Sequence, residues 1–312
     1  MRFNPKARID TGRTRDAGRG SSGGGLGRGL PIPSGIGGRG GIGSVVIILL
    51  FLVLTQCTGV GGNLLGSDDG GGSVGSDGAD RYAECRSGAD ANESADCARK
   101  AVEVSLRSFW SATLPQQSGT DFTPTDVVTF SNGVQTRGCG SASSAVGPFY
   151  CPADRTIYLD STFFDDVLEG QLGGQGGDFV EPYVLAHEYG HHVQNLLGTM
   201  GKVRTQQGPE SDAVRLELQA DCYAGMWTKG AVDSTDDSGT RIFESIDDGD
   251  ISEALDAAKT VGDDRIQEAS GGRVDPDGWT HGSSAQRMRW FRIGLEGGTL
   301  RDCDTFAARD LG

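Results

Sequence analysis

Residues 185–198 read LAHEYGHHVQNLLG and hold three of the chain's four histidines. Within them His187, Glu188 and His191 make the pattern HExxH. On a helix, positions i and i+4 lie one turn apart on the same face, so both imidazoles reach one ion. Zinc takes nitrogen and carboxylate ligands and, in a catalytic site, keeps one position for water. Glu188 falls beside that position, where a carboxylate takes a proton from the water. The competing reading is a solvated helix face carrying ordinary histidines. His192 points about 100° away around the helix and is expected at the surface or behind the ligands. Tyr189 is expected to be structural.

Two histidines leave the ligand set incomplete. Residues 214–227, VRLELQADCYAGMW, offer Glu217 and Asp221, again one turn apart. Glu217 would complete the His₂Glu set of zinc peptidases, with Asp221 accepting the free N–H of a ligating histidine. The reverse assignment stays open, as does a plain salt-bridged face. Leu216, Leu218, Ala220, Ala224 and Met226 make this helix half-buried, so carboxylates there need partners. His281, in GWTHGSSAQRMRW, could hydrogen-bond the oxyanion of a tetrahedral intermediate. Arg287 could do the same or hold a substrate carbonyl. Against these stand a loop histidine that only packs and an arginine that only pairs with an acid.

HEYGHHVQ, ELQADCYAG and THGSSAQRMRWF, in that order, resemble the bacterial neutral zinc metallopeptidase family from Tyr82 to about Asp304. More broadly, HExxH followed by ExxxD resembles the gluzincin metallopeptidases. The resemblance implies a zincin-like domain, an N-terminal membrane segment and one zinc ion held by His187, His191 and Glu217. It further implies Asp221 as the supporting acid, and His281 and Arg287 as contributors to transition-state stabilisation. The expected activity is peptide-bond hydrolysis, a metalloendopeptidase acting on peptides or proteins with Glu188 as general base. The alternative is a proteolytically silent zinc-binding envelope protein that serves as a binding or assembly partner.

The formal net charge is −15. Residues 1–39 carry eight Arg and Lys against two Asp, so the remainder carries −21. A region that acidic is a poor nucleic-acid binder, since phosphate contacts need basic clusters, and no nucleic-acid partner is expected. Residues 45–54, VVIILLFLVL, are unbroken apolar, and no charge falls between Arg39 and Asp68. Extended to 40–61, the stretch reaches the roughly 20 residues a bilayer requires. A signal anchor is favoured over a cleaved signal or a lipoprotein signal at Cys57, because the basic arm is long and Gln56 is not small. The expected layout is a disordered Gly/Arg-rich arm at 1–39, a single transmembrane segment at 40–61, a linker at 62–79 and one domain at 80–312. Positive flanks stay cytoplasmic, which would place that domain outside the cytoplasm at the cell membrane.

Six cysteines remain in the domain, an even number that suggests disulfides in an exported protein. Proximity favours Cys85–Cys97 and Cys139–Cys151, which leaves Cys222–Cys303; buried free thiols are the alternative. DVVTFSNGV and RTIYLD read as strands around an Asn132-Gly133 turn, with RTIYLD expected to line the cleft and pair with an extended substrate. Helices are expected over 96–111, 181–197, 210–229 and 252–261, and another after HGSS with Ser283 or Ser284 as cap. Strands early and helices late argue for an α+β fold.

Overall fold

The computed structural model describes residues 1–19 and 81–312. Two strands open the chain, β1 (Arg2–Phe3) and β2 (Thr14–Arg19). After residue 81 come α1 (Gly88–Glu93) and α2 (Ala95–Ser118), each started by a serine whose hydroxyl accepts a backbone N–H of the first turn, Ser87 and Ser94. Val102, Leu106, Trp110 and Leu114 recur every fourth residue on α2 and are fully buried. Strands β3 (Asp126–Ser131), β4 (Gly133–Gln135), β5 (Ser141–Ser143), β6 (Phe149–Cys151) and β7 (Thr156–Asp160) follow. Asn132 turns the chain between β3 and β4 with φ of 70°, a conformation asparagine tolerates.

The functional helices come next: α3 (Val180–Leu196) and α4 (Asp212–Gly230). They are followed by β8 (Phe243–Ser245), α5 (Asp248–Thr260), α6 (Asp263–Ala269) and α7 (Ser284–Gly297). Ser283 caps α7, and Gln286 returns a bond to the Ser283 N–H, a capping box that satisfies two otherwise orphaned donors. The fold is mixed α+β with a small sheet and a helical majority. The sheet runs β2-β3-β7-β6, its first three strands parallel and β6 antiparallel. Helix α4 is central, packed on α3 to one side and α7 to the other. A Cβ at Gly294 would lie 1.9 Å from the Cys222 carbonyl oxygen, and one at Gly225 would lie 2.1 Å from that of Phe291. Those two glycines therefore set how closely α7 approaches α4. The three disulfides are Cys85–Cys97 and Cys139–Cys151, as proximity suggested, and Cys222–Cys303, the pair left by elimination.

Two expectations are corrected. Residues 1–19 are not a disordered arm: Phe3, Ala7 and Ile9 are buried, and Phe3 stacks on Phe243 at 4.9 Å. Asn92 grips both the N–H and the carbonyl of Phe3, and β2 pairs with β3 over Thr14–Val127 to Arg19–Ser131. Averaged composition hid these few apolar residues among charges and glycines. RTIYLD, in turn, becomes β7, which is bonded to β3 along its length and to β6 over Thr156–Tyr158, so along those residues it has no edge for a substrate strand.

The expected span at 40–61 lies outside the described residues, and among those described no helix is long and apolar enough to cross a membrane. The flanks do bear on it. Arg81 Nε stands 3.7 Å from Asp16 Oδ2, and the Tyr82 hydroxyl bonds Thr129, which bonds Asp16. The described residues on either side, Arg19 and Arg81, both lie in this domain, so a single crossing in between would have to part β2 from β3.

Glu103 of α2 is fully buried beneath this N-terminal strap. Its Oε2 accepts the Arg13 N–H at 2.8 Å, while Arg107 Nε stands 3.5 Å from Oε1 without hydrogen-bonding it. Burial pushes the carboxyl up to about 7 against the opposing pull of Arg13 and Arg107. The folded group thus holds its proton more tightly than the unfolded one. Its contribution is fully present below the ordinary carboxylate range and is lost as pH rises through about 7. Glu103→Gln keeps an acceptor for Arg13, so we expect it to exceed the parent's stability by up to about 3 kcal/mol at pH 8 and to lose that advantage near pH 4. Urea midpoints at both pH values check this, and an unchanged difference between them would show a carboxylate ionised and paired in the fold.

Candidate metal centre

Helix α3 is buried along nearly its whole length, and its HExxH residues are each below a tenth exposed: His187 at 6%, Glu188 at 7% and His191 at 9%. Gly190 sits between the two histidines, where a Cβ would stand 3.1 Å from Ala220 Cα. That close approach brings Glu217 and Asp221, on either side of Ala220 along α4, up to the imidazoles.

Zinc–ligand bonds of about 2.0–2.1 Å at tetrahedral angles place any two ligand atoms about 3.3 Å apart. Glu217 Oε2 lies 3.2 Å from His187 Nε2, and Glu217 Oε1 lies 3.5 Å from His191 Nε2. The three donors therefore fit one zinc ion, and their chemistry, two imidazoles and a carboxylate, suits it. His187, Glu188 and His191 also bring one ligand atom each within 4.8 Å of one another. Glu217 thus stands at the spacing a third ligand needs, while Glu188 belongs to the same cluster and has no hydrogen bond committing its carboxylate elsewhere among those described.

Asp221 is fully buried behind this set. Its Oδ1 lies 2.8 Å from His187 Nδ1 and accepts the Tyr183 hydroxyl at 2.6 Å. Arg287 grips it with one edge of the guanidinium, Nε donating to Oδ2 at 2.8 Å and Nη2 to Oδ1 at 3.0 Å. Burial works to raise the Asp221 carboxyl, yet Arg287 and His187 hold it down at about 2. Burial likewise opposes Glu217, but His191 and His187 keep it well below the carboxylate range. Around His187 the same balance reverses sign: burial lowers it, and Asp221 and Glu217 carry it up to about 10. The pocket thus favours a cation, proton or metal, which is the competition expected of a metal site. Burial raises the Glu188 carboxyl against the pull of His191 and His187, moving it towards the range useful to a base.

The remaining sequence candidates fall in different places. His281 is 12% exposed by side chain, and its charge acts on Glu217. Its Nδ1 faces Thr280 Oγ1 at 3.0 Å and Asp263 Oδ1 at 3.3 Å. Arg287 is 4% exposed and spends its donors on Asp221, Tyr183 and the Val261 carbonyl. The expectation that it touches the oxyanion or a substrate carbonyl therefore gives way to a role through Asp221. His192, expected at the surface or behind the ligands, is in the core: Nε2 bonds the Thr123 carbonyl at 2.6 Å and Nδ1 meets the Tyr150 hydroxyl at 3.0 Å. Burial pushes it down to about 4, so it is neutral at physiological pH. Tyr189 is fully buried.

Sequence reasoning missed Tyr183, Gln194 and Asp263. Tyr183 lies one turn before His187 and Gln194 about one turn after His191, so helical periodicity could have found both. Asp263 gave no signal, because its role comes from accepting the N–H groups of Thr280, His281 and Gly282 at 2.7, 2.7 and 3.0 Å.

Two imidazoles from HExxH with glutamates on the same and the following helix, backed by a buried aspartate, are a donor set suited to zinc. The chain belongs to the family described as "Putative neutral zinc metallopeptidase", whose model matches residues 3–306. It is 50% identical over 231 residues to the uncharacterized protein Rv2575 of Mycobacterium tuberculosis strain H37Rv, covering 73% of this chain and 76% of that one. The uncharacterized protein Mb2605 of Mycobacterium bovis matches with the same identity and coverage. The uncharacterized protein YpfJ of Escherichia coli K12 is 48% identical over 180 residues, 56% of this chain and 59% of its own length. No solved structure matches the chain.

Glu217→Ala should abolish stoichiometric zinc in elemental analysis. Asp221→Asn should still load zinc, with affinity weakened by about 10- to 100-fold, and should lose about 3–5 kcal/mol of stability because Arg287 is left as a buried cation without its counter-charge. Zinc retained in the first variant and lost in the second would transfer the ligand role to Asp221.

Proposed function

We propose that the protein is a metallopeptidase that hydrolyses internal peptide bonds with a single zinc ion held by His187, His191 and Glu217. The observation that carries this reading is the buried Glu188 carboxyl beside a donor set already at tetrahedral spacing. A site that only stored metal would gain nothing from that uncommitted carboxylate. Bound zinc supplies a Lewis acid and lowers the pKa of a water molecule in its open position. Glu188 takes the proton from the attacking water and passes it to the leaving amine, so its raised affinity for a proton suits both halves of the transfer. His281, held from behind by Asp263, offers its other ring nitrogen to the developing oxyanion. Asp221 keeps the His187 proton on Nδ1 and so turns Nε2 towards Glu217, and Arg287 and Tyr183 hold Asp221 in turn.

The substrate class is a peptide or protein. Three disulfides favour an oxidising compartment outside the cytoplasm. Any membrane attachment must keep residues 1–19 and 81–312 on one side, since β2 and β3 are paired.

Glu188→Gln should bind zinc as the parent does and cut a quenched peptide library about 10²- to 10⁴-fold more slowly. A chelator should silence the parent and added zinc restore it. Undiminished cleavage by the Gln variant would sink the mechanism, and a zinc-loaded parent inert on every peptide would favour a binding role.

A further inference from the structure

Gln194 closes the motif HEYGHHVQ and is completely buried. Its carbonyl oxygen lies 2.8 Å from His191 Nδ1, while its amide nitrogen lies 2.7 Å from the Leu216 carbonyl oxygen and 3.2 Å from Gln219 Oε1. Gln219 Nε2 in turn lies 3.0 Å from the Cys303 carbonyl oxygen, and Cys303 is tied by its disulfide to Cys222 on α4. We propose that Gln194 is the positioning residue for the ligand His191, and that this buried amide relay fixes which ring nitrogen of His191 faces the metal.

The direction of every bond follows from valence. A backbone carbonyl only accepts, so the Cys303 oxygen obliges Gln219 to present its NH₂ there and its oxygen to Gln194. The Leu216 carbonyl and that oxygen both demand donors, which places the Gln194 NH₂ between them. The Gln194 oxygen is then left facing His191, so the proton sits on Nδ1 and the Nε2 lone pair points at the Glu217 side. An amide orientation is normally a matter of choice; here two fixed acceptors remove the choice. The two ligating histidines are thereby held by unlike devices. His187 leans on a carboxylate whose charge Arg287 offsets, whereas His191 leans on a neutral amide. A second carboxylate beside His191 would meet the Leu216 and Gln219 oxygens with no cation bonded to it, and the amide avoids that repulsion.

This inference rests on the zinc reading above, and zinc affinity measured by chelator competition, alongside melting of the zinc-free protein, tests the two separately. Gln194→Met fills the same space without an acceptor. It should weaken zinc binding about 10- to 100-fold. Gln194→Glu keeps an oxygen for Nδ1–H but loses both donors; it should melt earlier when zinc-free yet recover most of the lost affinity. Gln219→Met should give a smaller loss than Gln194→Met, because Leu216 still orients the first amide. Affinity within about threefold of the parent in Gln194→Met, or an equal loss in the Met and Glu variants, would overturn the relay while leaving the zinc site standing. A parent that binds no zinc overturns both.

Discussion

Gly190 and Ala220 meet where α3 crosses α4, and their lack of bulk lets a carboxylate from one helix reach imidazoles on the other. Helix pairs ordinarily stand 8–10 Å apart, as their contact side chains dictate. At this crossing a Cβ on Gly190 would come within 3.1–3.3 Å of Ala220. Glu217 and Asp221 lie to either side of that contact, so they grasp the same ring from its two nitrogens, Nε2 at 3.2 Å and Nδ1 at 2.8 Å. A larger residue at 190 would move both carboxylates at once. Gly225 and Gly294 repeat the device on the opposite side of α4 and deliver Arg287 to Asp221.

Burying this many ionisable groups is costly unless each is paired. Alternation of sign meets that demand: Arg287 against Asp221, Asp221 against His187, and the imidazoles against Glu217. The chain of pairs starts from a cation that no pH change will remove, since guanidinium stays protonated throughout the working range. Its far end is Glu188, which has no such partner and is raised by burial. The pairing is satisfied along the series and ends on the Glu188 carboxylate, the group that the proposed mechanism would use as base.

What could be read in advance was what repeats at short range. HExxH and ExxxD carry their geometry within one helical turn, and the cysteine pairs twelve residues apart close without knowledge of the fold. The Cys222–Cys303 pair followed only because two cysteines were left over. His192 fits neither the surface nor the place behind the ligands that its position allowed, because the face of α3 turned from the metal packs on Thr123 and Tyr150. Arg287 has the right chemistry for an oxyanion, but the rotation of α7 aims it at Asp221, and no local pattern encodes that rotation. Asp263 answers to three backbone N–H groups, which have no sequence signature.

The N-terminal strap shows the same contrast on a larger scale. Charge and hydropathy are local properties, and they point to an arm on one side of a membrane with a domain on the other. Which side a segment occupies is instead decided by what it pairs with, and Asp16 touches a residue 113 positions away. Burial of Phe3 and Ile9 contributes about 1.5–3 kcal/mol each, beyond the hydrogen bonds of β1 and β2. The unbroken apolar run of 45–54 is about half the length a bilayer-spanning helix requires. Glycine-rich flanks must supply the rest, at roughly 1 kcal/mol of helix propensity lost per glycine. Arg19 and Arg81, the described residues on either side of that run, belong to the same domain as the metal site.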